Sequence, residues 1–119
     1  MKRYIDAISP IIEKILKLTE TSQMSWEKAG DRAYRCVDVK DNLSLEISRG
    51  NGFVGANIGL KLYSENKLEF EYTPGFVVKY PDFEALLSKL YTKVEDEDLN
   101  RVTNNFSKIM LAFSNETNV

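Results

Sequence analysis

The chain has 119 residues, with 16 basic and 18 acidic side chains and a net charge of −2. This length is typical of one domain that buries a core without metal or disulfide support. The charge balance argues against nucleic-acid binding, which needs a concentrated positive field, and no apolar run is long enough to cross a membrane.

The first apolar stripe predicts an amphipathic helix. The stripe is spaced by three and four residues and therefore lies on one helical face. Its members are Ile5, Ile8, Ile12, Ile15 and Leu16. Because a proline inside a helix loses a hydrogen bond, we expect the main helix to begin near Pro10 with Ser9 as its cap. Residues 3–8 are then expected to form a short separate turn.

The middle of the chain predicts an antiparallel meander of four or five strands. Apolar and polar residues alternate with a period of two, so each strand has one apolar and one polar face. We expect a short strand opening at Trp26 and another over residues 76–80. Between these, the predicted strands cover residues 33–39, 43–48, 54–63 and 68–73. Turns are expected at Asp41-Asn42 and over the four residues 64–67.

Two further helices are expected after the sheet. The first carries an apolar stripe formed by Phe83, Leu86, Leu87, Leu90, Tyr91 and Val94. We expect the acidic run 95–98 to end it. The second carries a stripe formed by Leu99, Val102, Phe106, Ile109, Met110 and Phe113. The sum is an α+β two-layer sandwich in which an N-terminal helix and two C-terminal helices cover one sheet face. Residues 1–119 form one domain, with 114–119 as a frayed tail.

The residue inventory restricts the chemistry that the chain can perform. Histidine is absent, which removes Ser-His and Cys-His catalysis and histidine zinc sites. Cys36 is the one cysteine, so there is no thiolate zinc site and no intramolecular disulfide. We expect Cys36 to lie in the core of a cytoplasmic protein that is not an enzyme and uses no cofactor or metal.

Three carboxylates, Glu46, Glu69 and Glu71, are predicted on the outer face of the sheet. One interpretation is a paired-carboxylate site for acid–base work or a divalent cation. The interpretation that we favour is a solvated face on which Lys61 and Arg35 are the cross-strand partners.

The acidic run Glu95-Asp96-Glu97-Asp98 has two interpretations. The acids can stabilise the exposed N–H groups at a helix N-terminus. Alternatively, they form a docking patch for a basic partner or for the basic N-terminal segment, and charge pattern alone does not separate the two.

Small residues on the outer face of the predicted strand 54–63 suggest a third feature. Gly55 and Gly59 are four apart, with Asn57 between them. They either leave a shallow binding groove or mark a bulge that bends the strand, and we favour the bulge slightly.

The order of elements resembles a loose group of small bacterial proteins of uncharacterised role. The resemblance is carried by the segment from Ser22 to Trp26, the meander, and the pattern Phe83-x-x-Leu86-Leu87-x-x-Leu90-Tyr91. It implies a phage, toxin or interbacterial-competition context and transfers no catalytic residue.

These observations favour a non-catalytic protein-binding module, in its narrower form an immunity-like or antitoxin-like inhibitor of a bacterial protein. Its partner is expected to have a basic surface that meets the outer-face carboxylates and the acidic run. The alternative is a small-ligand or peptide-binding domain that uses the sheet face or the cavity between sheet and helices. A homodimer paired through the expected strand 76–80 is compatible with either.

Overall fold

The structure is a computed structural model that describes residues 1–38, 42–50 and 57–117. Its elements, in chain order, are α1 (Lys2–Glu20), β1 (Glu27–Gly30), β2 (Ala33–Asp38), β3 (Leu43–Arg49), β4 (Ile58–Ser64), β5 (Lys67–Tyr72) and α2 (Pro81–Thr117). The five strands form one antiparallel sheet in the order β1-β2-β3-β4-β5. The predicted α+β class and the meander are therefore confirmed.

Tight turns join the strands wherever the connections are described. The loop between β4 and β5 has two residues, Glu65 and Asn66, with φ values of 52° and 66°. Positive φ at both positions matches the right-handed twist of the flanking strands, so the expected four-residue loop is two residues shorter. Asn42, with φ 53°, has the positive φ expected of the turn before β3. Asp41 and residues 51–56 lie outside the described residues.

Both helices cover the same face of the sheet. On α2, the Phe83 ring packs edge-on against Tyr72 of β5 with 5.1 Å between centroids. On α1, the Tyr4 ring stacks on Phe70, two residues earlier in β5, at 6.0 Å. Since residues two apart in a strand point to one face, α1 and α2 form a single layer, and no helix of the described residues lies on the opposite sheet face.

The helix α1 begins eight residues before the expected position. It runs through Pro10, and the Ser9 hydroxyl donates to the Ile5 carbonyl at 2.7 Å instead of capping a helix. A proline inside a helix costs about 3 kcal/mol. Burial of Ile5, Ile8 and Ile12, at about 1.5–3 kcal/mol each, offsets that cost, which is why the helix continues through the proline.

The two expected C-terminal helices are one continuous helix of 37 residues. The acidic run 95–98 does not end α2, because glutamate is a good helix former and no glycine or proline occurs from Asp82 to Thr117. Through residue 114, burial is confined to the first half of α2, where the core residues are Phe83, Leu87, Leu90, Tyr91 and Val94. The rest of α2 extends past the sheet, and the long axis of the molecule is 65 Å.

The segment between β5 and α2 contains no strand. Phe76, Val77 and Val78 are exposed, and residues 73–80 pair with no strand. The expected edge strand over residues 76–80 is therefore wrong, and β5 is the last strand of the sheet. The expected homodimer paired through residues 76–80 therefore lacks the edge strand that it requires.

Candidate functional site

The outer sheet face carries a row of alternating charge that crosses all five strands. The strand register places five charged residues side by side, in the order Glu27, Arg35, Glu46, Lys61 and Glu71. The Arg35 guanidinium lies 3.2 Å from the Glu46 carboxylate. Lys61 separates Glu46 from Glu71, so these two carboxylates do not form a pair. The favoured interpretation, cross-strand partnership with Arg35 and Lys61, matches this register.

Glu69 does not belong to this charged row. It lies on β5 beside a register shift between Leu62 and Tyr63, where one extra residue enters the β4–β5 pairing. Its side chain is exposed, and it lines an apolar groove next to α1 that is described below. Across residues 1–38, 42–50 and 57–117, no three His, Cys, Asp or Glu side chains are close enough together to hold a metal ion.

A shallow groove of about 410 Å³ lies on the outer face at one end of β4. Asn57 and Gly59 line it together with Ser48, Glu71 and Thr73. A Cβ at Gly59 would lie 3.3 Å from the Tyr72 carbonyl oxygen, so the neighbouring backbone occupies the space of a side chain. The bulge lies farther along β4, between Leu62 and Tyr63, and not at Gly59. Gly55 is outside the described residues.

The acidic run lies in the middle of α2, so its interpretation as a helix N-terminal stabiliser is wrong. Four consecutive helical residues point in four directions, about 100° apart, and do not form one patch. Asp98 lies toward the sheet, where it accepts hydrogen bonds from the Tyr34 hydroxyl at 3.5 Å and from the Arg101 guanidinium at 2.8 Å. Glu97 lines a groove beside Trp26, and Asp96 lies near the crevice between α1 and α2.

The side chains with shifted pKa values are all less reactive at neutral pH. Burial, followed by the negative charge of Asp98, raises the pKa of Tyr34 to about 12. Burial, followed by the charge of Glu84, raises the pKa of Tyr72 to about 12. Burial raises the pKa of the Cys36 thiol to about 11, which opposes thiolate formation and agrees with its position in the core.

The second half of α2 presents a surface that the sequence interpretation placed in the core. We call this surface the C-terminal seam, and its residues are Leu99, Val102, Phe106, Ile109 and Met110. Each of them exposes half or more of its surface; for Phe106 the fraction is 61%. The expectation that this stripe covers the sheet is wrong.

One sequence signal distinguishes the seam from the buried stripe of the same helix. From Val94 to Leu99 the step is five residues, which turns the stripe by roughly 140° around the helix axis. A single buried face advances by three- and four-residue steps only. The break in spacing therefore indicates that the two stripes face different directions.

A second apolar surface is a groove of about 730 Å³ between α1 and the sheet, which we call the α1 groove. It lies beyond the part of the sheet that α2 covers. Its apolar lining comes from Ile11, Ile15, Met24, Leu43, Leu45 and Leu62. This groove corresponds to the predicted cavity between sheet and helices.

Comparisons with protein-family models, with curated proteins and with solved structures each gave no match. The resemblance to small bacterial proteins of phage and toxin neighbourhoods therefore stays a prediction. Within the described part of the chain, no helix combines the length and apolar character that a bilayer span requires.

Proposed function

We propose that the chain is a non-catalytic protein-binding module whose contact surface is the C-terminal seam. The observation that supports the proposal is the exposure of five large apolar side chains on one face of a helix that extends past its own core. Contiguous exposed apolar patches on soluble proteins are typical of interaction sites. An amphipathic helix of the partner fits this surface, because helices bind one another through apolar residues at three- and four-residue spacing.

The extended part of α2 has an apolar face that no described part of its own sheet covers. Most helix stability in proteins comes from packing of such a face, so a partner that covers it stabilises the helix. Residues 99–114 include asparagine, serine and threonine at six positions, and these residues are only moderate helix formers. Burial of the seam against a partner supplies the packing that the sheet does not provide here.

The narrower form of the proposal is an immunity-like or antitoxin-like inhibitor of a bacterial protein. An inhibitor needs surface complementarity and no reactive group, which agrees with the pKa directions of the buried tyrosines and Cys36. The seam fits an apolar surface on the partner. The expected basic surface on the partner is less well supported. The outer-face carboxylates alternate with Arg35 and Lys61, and the acidic run is divided among several faces of α2.

The test is affinity capture from the native host at low salt with the full chain and two charge-insertion variants. Ile109→Glu places a charge in the seam and should abolish capture of a stoichiometric partner. Leu111→Glu is the matched control, since Leu111 is 65% exposed but lies on the other side of the helix. Equal capture by both variants contradicts the proposal, as does an unmodified chain that captures neither a foreign protein nor a second copy of itself.

A small-ligand or peptide-binding function is the second candidate, and the α1 groove favours it. Its volume and predominantly apolar lining are within the range of small-molecule sites, which span about 300–1,000 Å³. A ligand that binds the native chain raises the unfolding midpoint, so thermal-shift screening against apolar metabolites tests it. Ile11→Glu should remove such a shift and the surface change Lys14→Glu should keep it; a shift that survives Ile11→Glu counts against this groove.

A further inference from the structure

We propose that the partner of the C-terminal seam is a second copy of this chain, so that two α2 helices pair along their second halves. The inference rests on the proposed function, which makes the seam a contact surface, and adds the identity of its occupant. Three features of the described residues support it: the spacing of the seam, its area, and the charges that flank it.

The spacing of the seam is that of a two-stranded helix pair. Leu99, Val102, Phe106 and Ile109 are separated by three, four and three residues, and the next apolar position in this series is Phe113. This is the a/d spacing of the heptad repeat. A helix pair needs the same repeat on both strands, and a second copy supplies it, because a two-fold interface brings the same surface from each subunit.

The area of the seam suits a small dimer interface. Large apolar and aromatic side chains that are half exposed or more contribute about 100 Å² each, so the five seam residues offer about 500 Å². A standard interface buries about 800 Å² per partner. The exposed residues Thr103, Asn105 and Ala112 border the seam and add to this area, so the interface is smaller than the standard size.

The residues that flank the seam are compatible with self-association, because they place almost no charge between two copies. In helix pairs, charges that flank the apolar positions select the partner. The flanking positions here are Asp98, Thr103, Asn105, Met110 and Ala112, and the one charged residue among them, Asp98, pairs with Arg101 of its own helix. The charged residues of the segment 99–114 are Arg101 and Lys108. Each follows a seam position by two residues, roughly 200° around the helix, and faces away from the seam. Two copies therefore meet without like-charge repulsion across the seam.

The proposal is tested by sedimentation equilibrium of the purified full chain over a wide range of micromolar concentrations. The unmodified chain should approach twice the 13.6 kDa monomer mass as concentration rises. Ile109→Glu and Phe106→Glu should weaken dimerisation by a hundredfold or more, about 2.8 kcal/mol at 1.4 kcal/mol per tenfold. Leu111→Glu should dimerise as the unmodified chain does. Because these positions are exposed, the variants should keep the unmodified thermal midpoint when measured as monomers.

A chain that stays monomeric at every concentration overturns the proposal, as does a dimer that survives both seam variants. These outcomes are distinct from failure of the proposed function. If the chain is monomeric but still captures another protein, and Ile109→Glu abolishes that capture, the seam is a contact surface whose occupant is a foreign protein. The proposed function then stands and the dimer proposal fails.

Discussion

The two halves of α2 have the same apolar spacing and opposite exposure. In the first half, Leu87 and Leu90 are fully buried in the core, with 0% of their surface exposed. In the second half, Leu99 and Phe106 occupy equivalent positions of a stripe and are each 61% exposed. An apolar stripe therefore indicates that one face of a helix packs against something. Whether that is the protein's own sheet or another molecule depends on how far the sheet extends along the helix.

The buried part of α2 ends near the edge of the sheet that β1 and β2 form. Tyr34 and Tyr91 pack edge-on with 5.6 Å between ring centroids, and the Tyr91 hydroxyl donates to the Arg32 carbonyl at 3.4 Å. Past Asp98 the α2 side chains 99–114 are all exposed, and β1, the edge strand on that side, has four exposed residues. The second half of α2 is thus left to solvent or to another molecule.

Truncation of a core leucine should have the largest effect on stability. Leu90→Ala removes a fully buried side chain and should lower the free energy of unfolding by about 2–5 kcal/mol. Leu111→Ala, in the exposed half of the same helix, should change it by less than about 0.5 kcal/mol. Urea unfolding of both variants measures the difference, and comparable losses would contradict the division of α2 into two halves.

Alkaline pH should destabilise the core, which includes the first half of α2. The ordinary pKa values are 10.0 for Tyr34 and Tyr72 and 9.0 for Cys36, and burial raises them to about 12, 12 and 11. The native chain therefore holds protons that the unfolded chain loses between about pH 9 and pH 12. The contribution of these three groups to stability should be fully present below about pH 9 and should be lost as pH rises through this range.

The alkaline fall is measured by the urea midpoint between pH 8 and pH 11. Tyr34→Phe removes one of the groups and should make the fall smaller. A midpoint that stays constant or rises with pH would show that these side chains ionise as readily in the native chain as in the unfolded one.

Loss of the Asp98 charge at the junction of the two halves should have a small effect. Asp98→Asn weakens the pair with Arg101, whose side chain is 64% exposed, and should cost less than about 1 kcal/mol. It also removes a charge that raises the pKa of Tyr34, so that pKa should decrease. Asp96→Asn, on another face of the helix, should leave the tyrosine titration unchanged when both variants are followed by ultraviolet absorbance.

Removal of the second half of α2 should have the smallest effect on the core. A chain that ends at Arg101 keeps Asp98 and all the buried side chains, so its core unfolding should change by less than about 0.5 kcal/mol when both chains are monomeric. Far-UV circular dichroism should show loss of helix, and sedimentation should show a monomer. Unfolding of the shortened chain at room temperature would show that the exposed half is part of the folding unit.

Much of the sheet is predictable because its signals are local. Leu45 and Ile47 alternate with polar neighbours in β3, and both are buried. The positions of Trp26 and Asn42 also agree with the strand start and turn that the sequence predicts. The pairing of Glu46 with Arg35 follows from the same register, because neighbouring strands in a meander bring fixed residues side by side.

The ends of the helices were not predictable from local rules. Local sequence rules predict a helix start at Pro10 and a helix end at the acidic run 95–98. In the structure, α1 and α2 continue through them. Packing of the isoleucine stripe outweighs the cost of Pro10. For the acidic run, helix propensity favours continuation, and Asp98 gains partners in Tyr34 and Arg101. The candidate site was misplaced for a related reason, since amphipathicity identifies an apolar face and does not identify what covers it.

By itself, the sequence determined the α+β class, the meander, the apolar face of each element and the lack of histidine chemistry. These properties depend on periodicity and residue type, which neighbouring residues define. Only the tertiary structure decided that the sheet ends beneath the middle of α2, so that Leu90 is buried whereas Phe106 is exposed. The five-residue step from Val94 to Leu99 signals that the two stripes face different directions, but the distance along the helix at which the opposing layer stops depends on how the other elements pack.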